Sequence, residues 1–176
     1  MLRTRVGYAG GTKANPTYYD LGNHTEAVQV EYDPSQISYD ELLAVFWDSH
    51  AATQRSFSRQ YASLILYHDD EQRRLAEESK TREQERVGRI YTEIVPVGTF
   101  YQAEQYHQKY YLTANQALIL TLRGIYPSDQ QFVDSTVVAR LNGYAGGHGS
   151  EVDVQQELVR LGLSKEQSVE LVQLTR

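Results

Sequence analysis

The clearest periodic pattern in the chain starts at Glu26, where Val28, Val30 and Tyr32 fall on one parity and Ala27, Gln29 and Glu31 on the other. That period of two predicts a half-buried strand, which Asp33-Pro34 ends. Arg3–Tyr8 predicts an earlier strand. Between the two, Ala9-Gly10-Gly11 and Asn15-Pro16-Thr17 supply loop chemistry, through the conformational freedom of glycine and the bar that proline sets to helix. Ser38, with Glu41 three residues on, spells a capping box and opens a helix through Leu42, Leu43, Val45, Phe46 and Trp47 as far as Ser49. Leu64–Tyr67 predicts a third strand, and Asp69 or Asp70 caps a long, charged, solvated helix over 71–86. Ile90–Val97 reads as a further strand and Phe100–Tyr111 as an aromatic helix. From Asn115 the pattern is helical, with short helices over 131–141, 152–162 and 165–175. Strands early and helices late predict an α+β fold.

Composition narrows the function classes. With 40% apolar and 23% charged residues and 4 Pro in 176 residues, the chain is a globular domain rather than a disordered or fibrous one. Its 17 basic against 23 acidic side chains, a net charge of -6, oppose a nucleic-acid partner. No apolar run approaches the roughly 20 residues that cross a bilayer, and the first residues lack a signal core, so the expected compartment is cytoplasmic, with no membrane partner. A cysteine count of 0 excludes disulfides, zinc-thiolate sites, iron-sulfur clusters and a thiol nucleophile within these residues. The 14 tyrosines bring hydroxyls that need partners wherever they are buried.

Glu26 shares the parity of three core-forming residues, and a desolvated carboxyl tends to keep its proton and serve as a general acid or hydrogen-bond donor. The other reading of the same residue is a strand end that reaches solvent. His24 sits beside it in sequence, Tyr18 and Tyr19 lie in the loop that feeds this strand, and Tyr61 stands at the start of the strand to Tyr67, on the face of Ser63 and Ile65. Glu104 and His107 carry a carboxylate–imidazole spacing of three, but a single copy with no further ligands in register reads as a structural pair, and no metal is expected. Gly7, Gly10 and Gly11 spell no phosphate-binding loop, so no nucleotide or other cofactor is expected. Gly-Tyr-Ala-Gly-Gly occurs at Gly7–Gly11 and again at Gly143–Gly147 without matching flanks, which is coincidence rather than a repeat.

Taken together and in order, several segments resemble the peptide methionine sulfoxide reductase A family. They are Arg5–Gly11, Asn15-Pro16-Thr17-Tyr18, His24-Thr25-Glu26-Ala27-Val28, Tyr32-Asp33-Pro34 and Ile37-Ser38-Tyr39, then Phe46-Trp47 through His50, Gln60-Tyr61-Ala62-Ser63, Thr92-Glu93-Ile94 and Phe100–Gln108. The resemblance covers residues 3–112 and implies a ferredoxin-like core, a mixed β-sheet with flanking helices. Residues 1–114 are then the reductase-like part, and residues 115–176 a helical C-terminal extension of the same domain, similar to that of one branch of the family. It further implies reduction of methionine-S-sulfoxide, free or in proteins, with thioredoxin or another thiol as reductant. Carried over by residue, Glu26 is the proton donor and Tyr18 and Tyr61 hold the sulfoxide oxygen.

The family's Gly-Cys-Phe-Trp motif, which supplies the nucleophile on a catalytic helix, precedes the segment that matches Arg5–Gly11 and has no counterpart here. On the sequence alone the expectation is therefore a truncated or mis-started reading of a reductase, lacking the first strand and catalytic helix and inactive as written. The alternative is a non-catalytic module that binds methionine sulfoxide or methionine. Between His50 and Tyr61 the chain is also shorter than the common form, with Ala51-Ala52 where Asp-Pro is usual.

Overall fold

The computed structural model describes residues 2–175 and divides them into two compact units, Val6–Ala103 and the segment through Arg5 together with Glu104 onward. The division falls at 103/104, ahead of the 114/115 boundary read from the sequence. Taken along the chain, the elements are five strands, two short 3-10 turns and seven α-helices among the described residues, an α+β set.

The first unit holds the strands. β1 (Arg3–Ala9) is central in a three-stranded sheet of order β2-β1-β5, between β2 (Thr25–Glu31) and the two-residue β5 (Tyr101–Gln102), which it pairs antiparallel at Gly7↔Gln102 and Tyr8↔Tyr101. β3 (Leu64–Tyr67) and β4 (Glu93–Pro96) form a separate parallel pair in register Leu64↔Glu93 through Tyr67↔Pro96. Parallel neighbours need a crossover, and α2 (Asp70–Val87) supplies it, capped by the Asp69 carboxylate accepting from the Gln72 backbone N–H. α1 (Tyr39–Asp48) packs against α2 around Leu43, Trp47, Ala52, Ile65, Ala76 and Ile90. Its capping box is present as the sequence predicts, since Ser38 Oγ accepts from the Glu41 N–H and Glu41 accepts from the Ser38 N–H at 2.7 Å.

The aromatic helix expected over Phe100–Tyr111 does not form. Tyr101 and Gln102 pair with β1, and the Ala103 N–H extends that ladder to the Val6 carbonyl at 2.9 Å. The chain then makes a 3-10 turn at Gln105–His107 and another at Tyr110–Ala114, separated by Lys109 at φ 52, which breaks any helix. Aromatic residues suit a pleated, half-buried surface as well as a helix, and the neighbouring strand decides between the two.

The second unit is helical: α3 (Gln116–Ile125), α4 (Asp129–Asp134), α5 (Thr136–Ala145), α6 (Glu151–Arg160) and α7 (Lys165–Leu174). They close over one core that includes Leu118, Leu122, Phe132, Leu141, Leu158 and Leu171. The helix expected over 131–141 is two, because Ser135 leaves helical dihedrals and caps α5 through Val138. The second Gly-Tyr-Ala-Gly-Gly ends α5, whereas the first ends β1, so the two copies share no structure. Among the described residues no helix is long and apolar enough to cross a membrane.

Candidate active site

Two loops bring the candidate residues together, and both are fixed by local chemistry. In the first, Gly10 takes φ +74, and Gly11 approaches His24 so closely that a Cβ there would lie 2.6 Å from the His24 nitrogen. The His24 ring, 1% exposed, staples this loop: Nδ1 accepts from the Gly11 N–H at 3.1 Å, and Nε2 bonds the Lys13 carbonyl at 2.8 Å. With a carbonyl on Nε2 and an N–H on Nδ1, the ring is the neutral Nε2–H tautomer. His24 is thus a loop organiser rather than a partner for Glu26. Thr17 and Asp20 exchange backbone hydrogen bonds at 3.3 and 3.0 Å, and this tight turn presents Tyr18 and the 90% exposed Tyr19, whose rings meet edge to face at 5.4 Å.

The second loop, Ser58–Ser63, is tied to the start of β2. The Thr25 hydroxyl donates to the Arg59 carbonyl at 2.8 Å, the Glu26 N–H donates to the Gln60 carbonyl at 3.0 Å, and Gln60 Nε2 donates back to Glu26 Oε1 at 2.8 Å. Arg59 adds a two-pronged contact to Glu93 at 3.1 and 3.0 Å. The loop turns through the Ala62 N–H to the Arg59 carbonyl, so Tyr61 sits in a turn ahead of β3 and not on the strand face with Ser63 and Ile65.

Tyr61 hydrogen-bonds Tyr18 and lies within the field of Glu26. Its phenol is held above the usual range, first by the charge that Tyr18 would carry, then by desolvation, the Tyr18 hydrogen bond and the Glu26 carboxylate. Tyr61 therefore remains a donor at neutral pH while 47% exposed. All three expected residues, Tyr18, Glu26 and Tyr61, come together. The reason given for Glu26 does not hold: it is half-buried, and Val28 on the same parity is 63% exposed. Parity says which residues share a face, but β2 is an edge strand and that face stays open at Val28.

Pattern reading missed Gln60, which the Gln-Tyr dipeptide contained, and it missed a cleft beside Tyr61. That cleft, of about 600 Å³, is lined by His50, Arg55, Phe57, Arg59, Ser63 and Tyr91 among others. At its base His50 Nδ1 donates to the Phe46 carbonyl at 2.8 Å, which leaves Nε2 to accept from Ser63 Oγ at 2.8 Å, and Ser63 Oγ in turn contacts Thr92 Oγ1 at 2.8 Å. Glu104 and His107 span a single 3-10 turn, in which the His107 N–H donates to the Glu104 carbonyl. Among the described residues no group of three or more His, Cys, Asp or Glu side chains converges as a metal site.

The fold and site thus define an α+β protein in which two tyrosine hydroxyls meet beside a carboxylate. Residues 1–140 match the family model for peptide methionine sulfoxide reductase, and residues 128–174 match that for the helical domain of selenoprotein methionine sulfoxide reductase A. The chain belongs to the peptide methionine sulfoxide reductase family. It is 45% identical over 170 residues to the Drosophila melanogaster peptide methionine sulfoxide reductase, covering 95% of this chain and 68% of the relative. It is 44% identical over 152 residues to peptide methionine sulfoxide reductase A5 of Arabidopsis thaliana, covering 82% of this chain and 59% of that one. The solved methionine sulfoxide reductase A of Corynebacterium diphtheriae superposes with a TM-score of 0.58 at 36% identity, over 64% of this chain and 63% of that chain. Mxr1 of Saccharomyces cerevisiae in reduced form does so with 0.58 at 30% identity, over 64% and 70%.

Proposed function

We propose that Tyr18, Glu26 and Tyr61 bind the oxygen of a methionine-S-sulfoxide, the two phenols donating hydrogen bonds to it and Glu26 delivering a proton as the S–O bond breaks. The observation that carries this reading is that Tyr61 hydrogen-bonds Tyr18 within the field of Glu26, which gathers two phenols and a carboxyl at one place. Gln60 holds one oxygen of Glu26 and leaves the other available. The overall reduction takes two thiols and one sulfoxide to a disulfide, a thioether and water, with a thiolate sulfur attacking the sulfoxide sulfur and the oxygen leaving protonated. The 176 residues hold 0 cysteines, so their own share of this chemistry is oxygen binding and proton donation. On this reading the thiol comes from outside these residues, thioredoxin or another small thiol closes the cycle, and the setting is cytoplasmic repair of oxidised methionine under oxidative stress. The second reading, a module that only binds methionine sulfoxide or methionine, is favoured by the same cysteine count and uses the same pocket.

The test is a titration of the chain with a fluorescent peptide containing methionine-S-sulfoxide. Saturable binding is expected, weakened about threefold to tenfold by Tyr18→Phe or Tyr61→Phe, the worth of one hydrogen bond, and weakened also by Glu26→Ala. Absence of saturable binding overturns the pocket. With dithiothreitol the chain is expected to give no turnover above buffer, and reductase activity in that assay would overturn the assignment of the thiol to a group outside these residues.

A further inference from the structure

The cleft beside Tyr61 contains charge that the oxygen-binding trio does not use. The Tyr91 N–H donates to the Ala52 carbonyl at 3.0 Å, which draws the end of the 88–92 connection against the 51–58 loop. As a result the guanidinium groups of Arg55 and Arg89 lie 5.4 and 5.0 Å from the centroid of one ring, that of Tyr91. Both arginines are exposed, and Tyr91 and Arg55 line the cleft. The carboxylate of the cleft wall, Glu93, is already engaged by Arg59 at 3.0 Å. Among the described residues neither Arg55 nor Arg89 has an ion-pair partner, in a chain whose acidic side chains outnumber basic ones 23 to 17. Two cations gathered around one aromatic ring repel each other, and an anion arriving beside them relieves that repulsion and gains charge-assisted hydrogen bonds.

Tyr61 belongs to both places, since it bonds Tyr18 in the oxygen pocket and lines the cleft. A polypeptide whose sulfoxide oxygen rests on Tyr18 and Tyr61 has its next residues, about 3.3 Å apart when extended, beside this cleft. We infer that the cleft is a specificity site for the chain flanking the oxidised methionine, and that Arg55 and Arg89, on Tyr91, select a substrate with an Asp or Glu within a few residues of the sulfoxide. The inference rests on the oxygen-pocket reading. It concerns protein-bound substrate, because free methionine sulfoxide has no flanking residue to place there.

The test uses four peptides, methionine-S-sulfoxide or norleucine at the centre and glutamate or glutamine in the flanks, titrated into the chain at low and moderate salt. The glutamate sulfoxide peptide is expected to bind about tenfold tighter than its glutamine counterpart at low salt, with the difference shrinking as salt rises. In Arg55→Gln/Arg89→Gln the two are expected to bind alike, with the glutamine peptide unchanged, and Arg55→Glu/Arg89→Glu should favour a lysine-flanked peptide instead. Circular dichroism checks that these exposed substitutions leave the fold intact. Equal affinity for the two sulfoxide peptides in the unchanged chain, a glutamate preference that survives in the double glutamine variant, or no binding of the glutamate sulfoxide peptide would each overturn the inference. A glutamate preference shared equally by sulfoxide and norleucine peptides, and lost in the double variant, would sink the oxygen pocket while leaving an acidic-peptide cleft.

Discussion

Gln60 grips Glu26 through both its backbone carbonyl and its side-chain amide, which makes it the residue that sets where the carboxylate stands. Replacing it with alanine keeps the backbone bond and releases the side chain. Gln60→Ala should therefore weaken binding of the sulfoxide peptide about threefold while moving the urea midpoint little, an outcome read by running both titrations on one preparation. A second residue-scale case is buried. Trp47, 6% exposed, donates its indole N–H to Ser79 Oγ at 2.6 Å, and Ser79 is 5% exposed. Ser79→Ala orphans a buried donor and should cost about 1–3 kcal/mol in urea denaturation; a loss near zero would mean that water reaches the indole. Sequence pattern named Glu26 as a candidate but misjudged its surroundings, because alternation carries no record of which sheet face is covered. Tyr18 and Tyr61 took their roles from the family resemblance, and no local pattern could foretell that two loops so far apart in the chain would meet.

Elements were legible where their signals are local. Ser38 and Glu41 cap α1 reciprocally, and Ser38→Ala is expected to destabilise by about 1 kcal/mol, with Ser38→Asn close to unchanged, as measured by denaturant midpoint. The charged helix starts at the Asp69 cap because a side-chain acceptor is needed within one turn, a requirement written in the sequence itself. Segments 100–111 and 131–141 were misread for the opposite reason. β1 recruits Tyr101 and Gln102 as its antiparallel partner, and Ser135 trades helical continuity for a cap on α5. In both places a partner outside the local window outweighs a helical pattern.

At the scale of the whole molecule, the linkage between charge and folding can be worked out from the groups whose ionisation the fold shifts. Lys109 is 4% exposed and donates to the Thr4 carbonyl at 2.5 Å and the Thr4 hydroxyl at 3.0 Å. Burial holds its ammonium down to about 8 from an ordinary 10.5, with the Asp134 charge pulling upward and Arg5 downward. Between these values the unfolded chain binds more protons than the folded one, so stability rises as the pH climbs from about 8 toward 10.5. Tyr39, pushed up to about 12 chiefly by burial, opposes this above pH 10, where its unfolded phenol ionises first. The urea midpoint should therefore increase from pH 8 to about 9.5 in the unchanged chain, and the increase should vanish in Lys109→Met; a flat profile in the unchanged chain counts against the buried ammonium. At the acid end burial raises the Asp134 carboxyl, but the hydrogen bonds from Arg5 and Gln130 and the charges of Arg5 and Arg3 prevail and hold it below the usual range. Its contribution is present above its unfolded value near 3.8 and is lost as the pH falls below that.

By itself the sequence determined the α+β class, the caps and strand periods and the family, and it named the three polar residues proposed to bind the sulfoxide oxygen, because each of these is carried by neighbours in the chain or by ordered motifs. Only the tertiary structure decided that Gln60 anchors Glu26, that Tyr18 meets Tyr61, that Val28 stays open, and that Arg55 and Arg89 share one ring. Those facts depend on which loop packs against which strand, and burial and pairing between distant residues leave no trace in local periodicity.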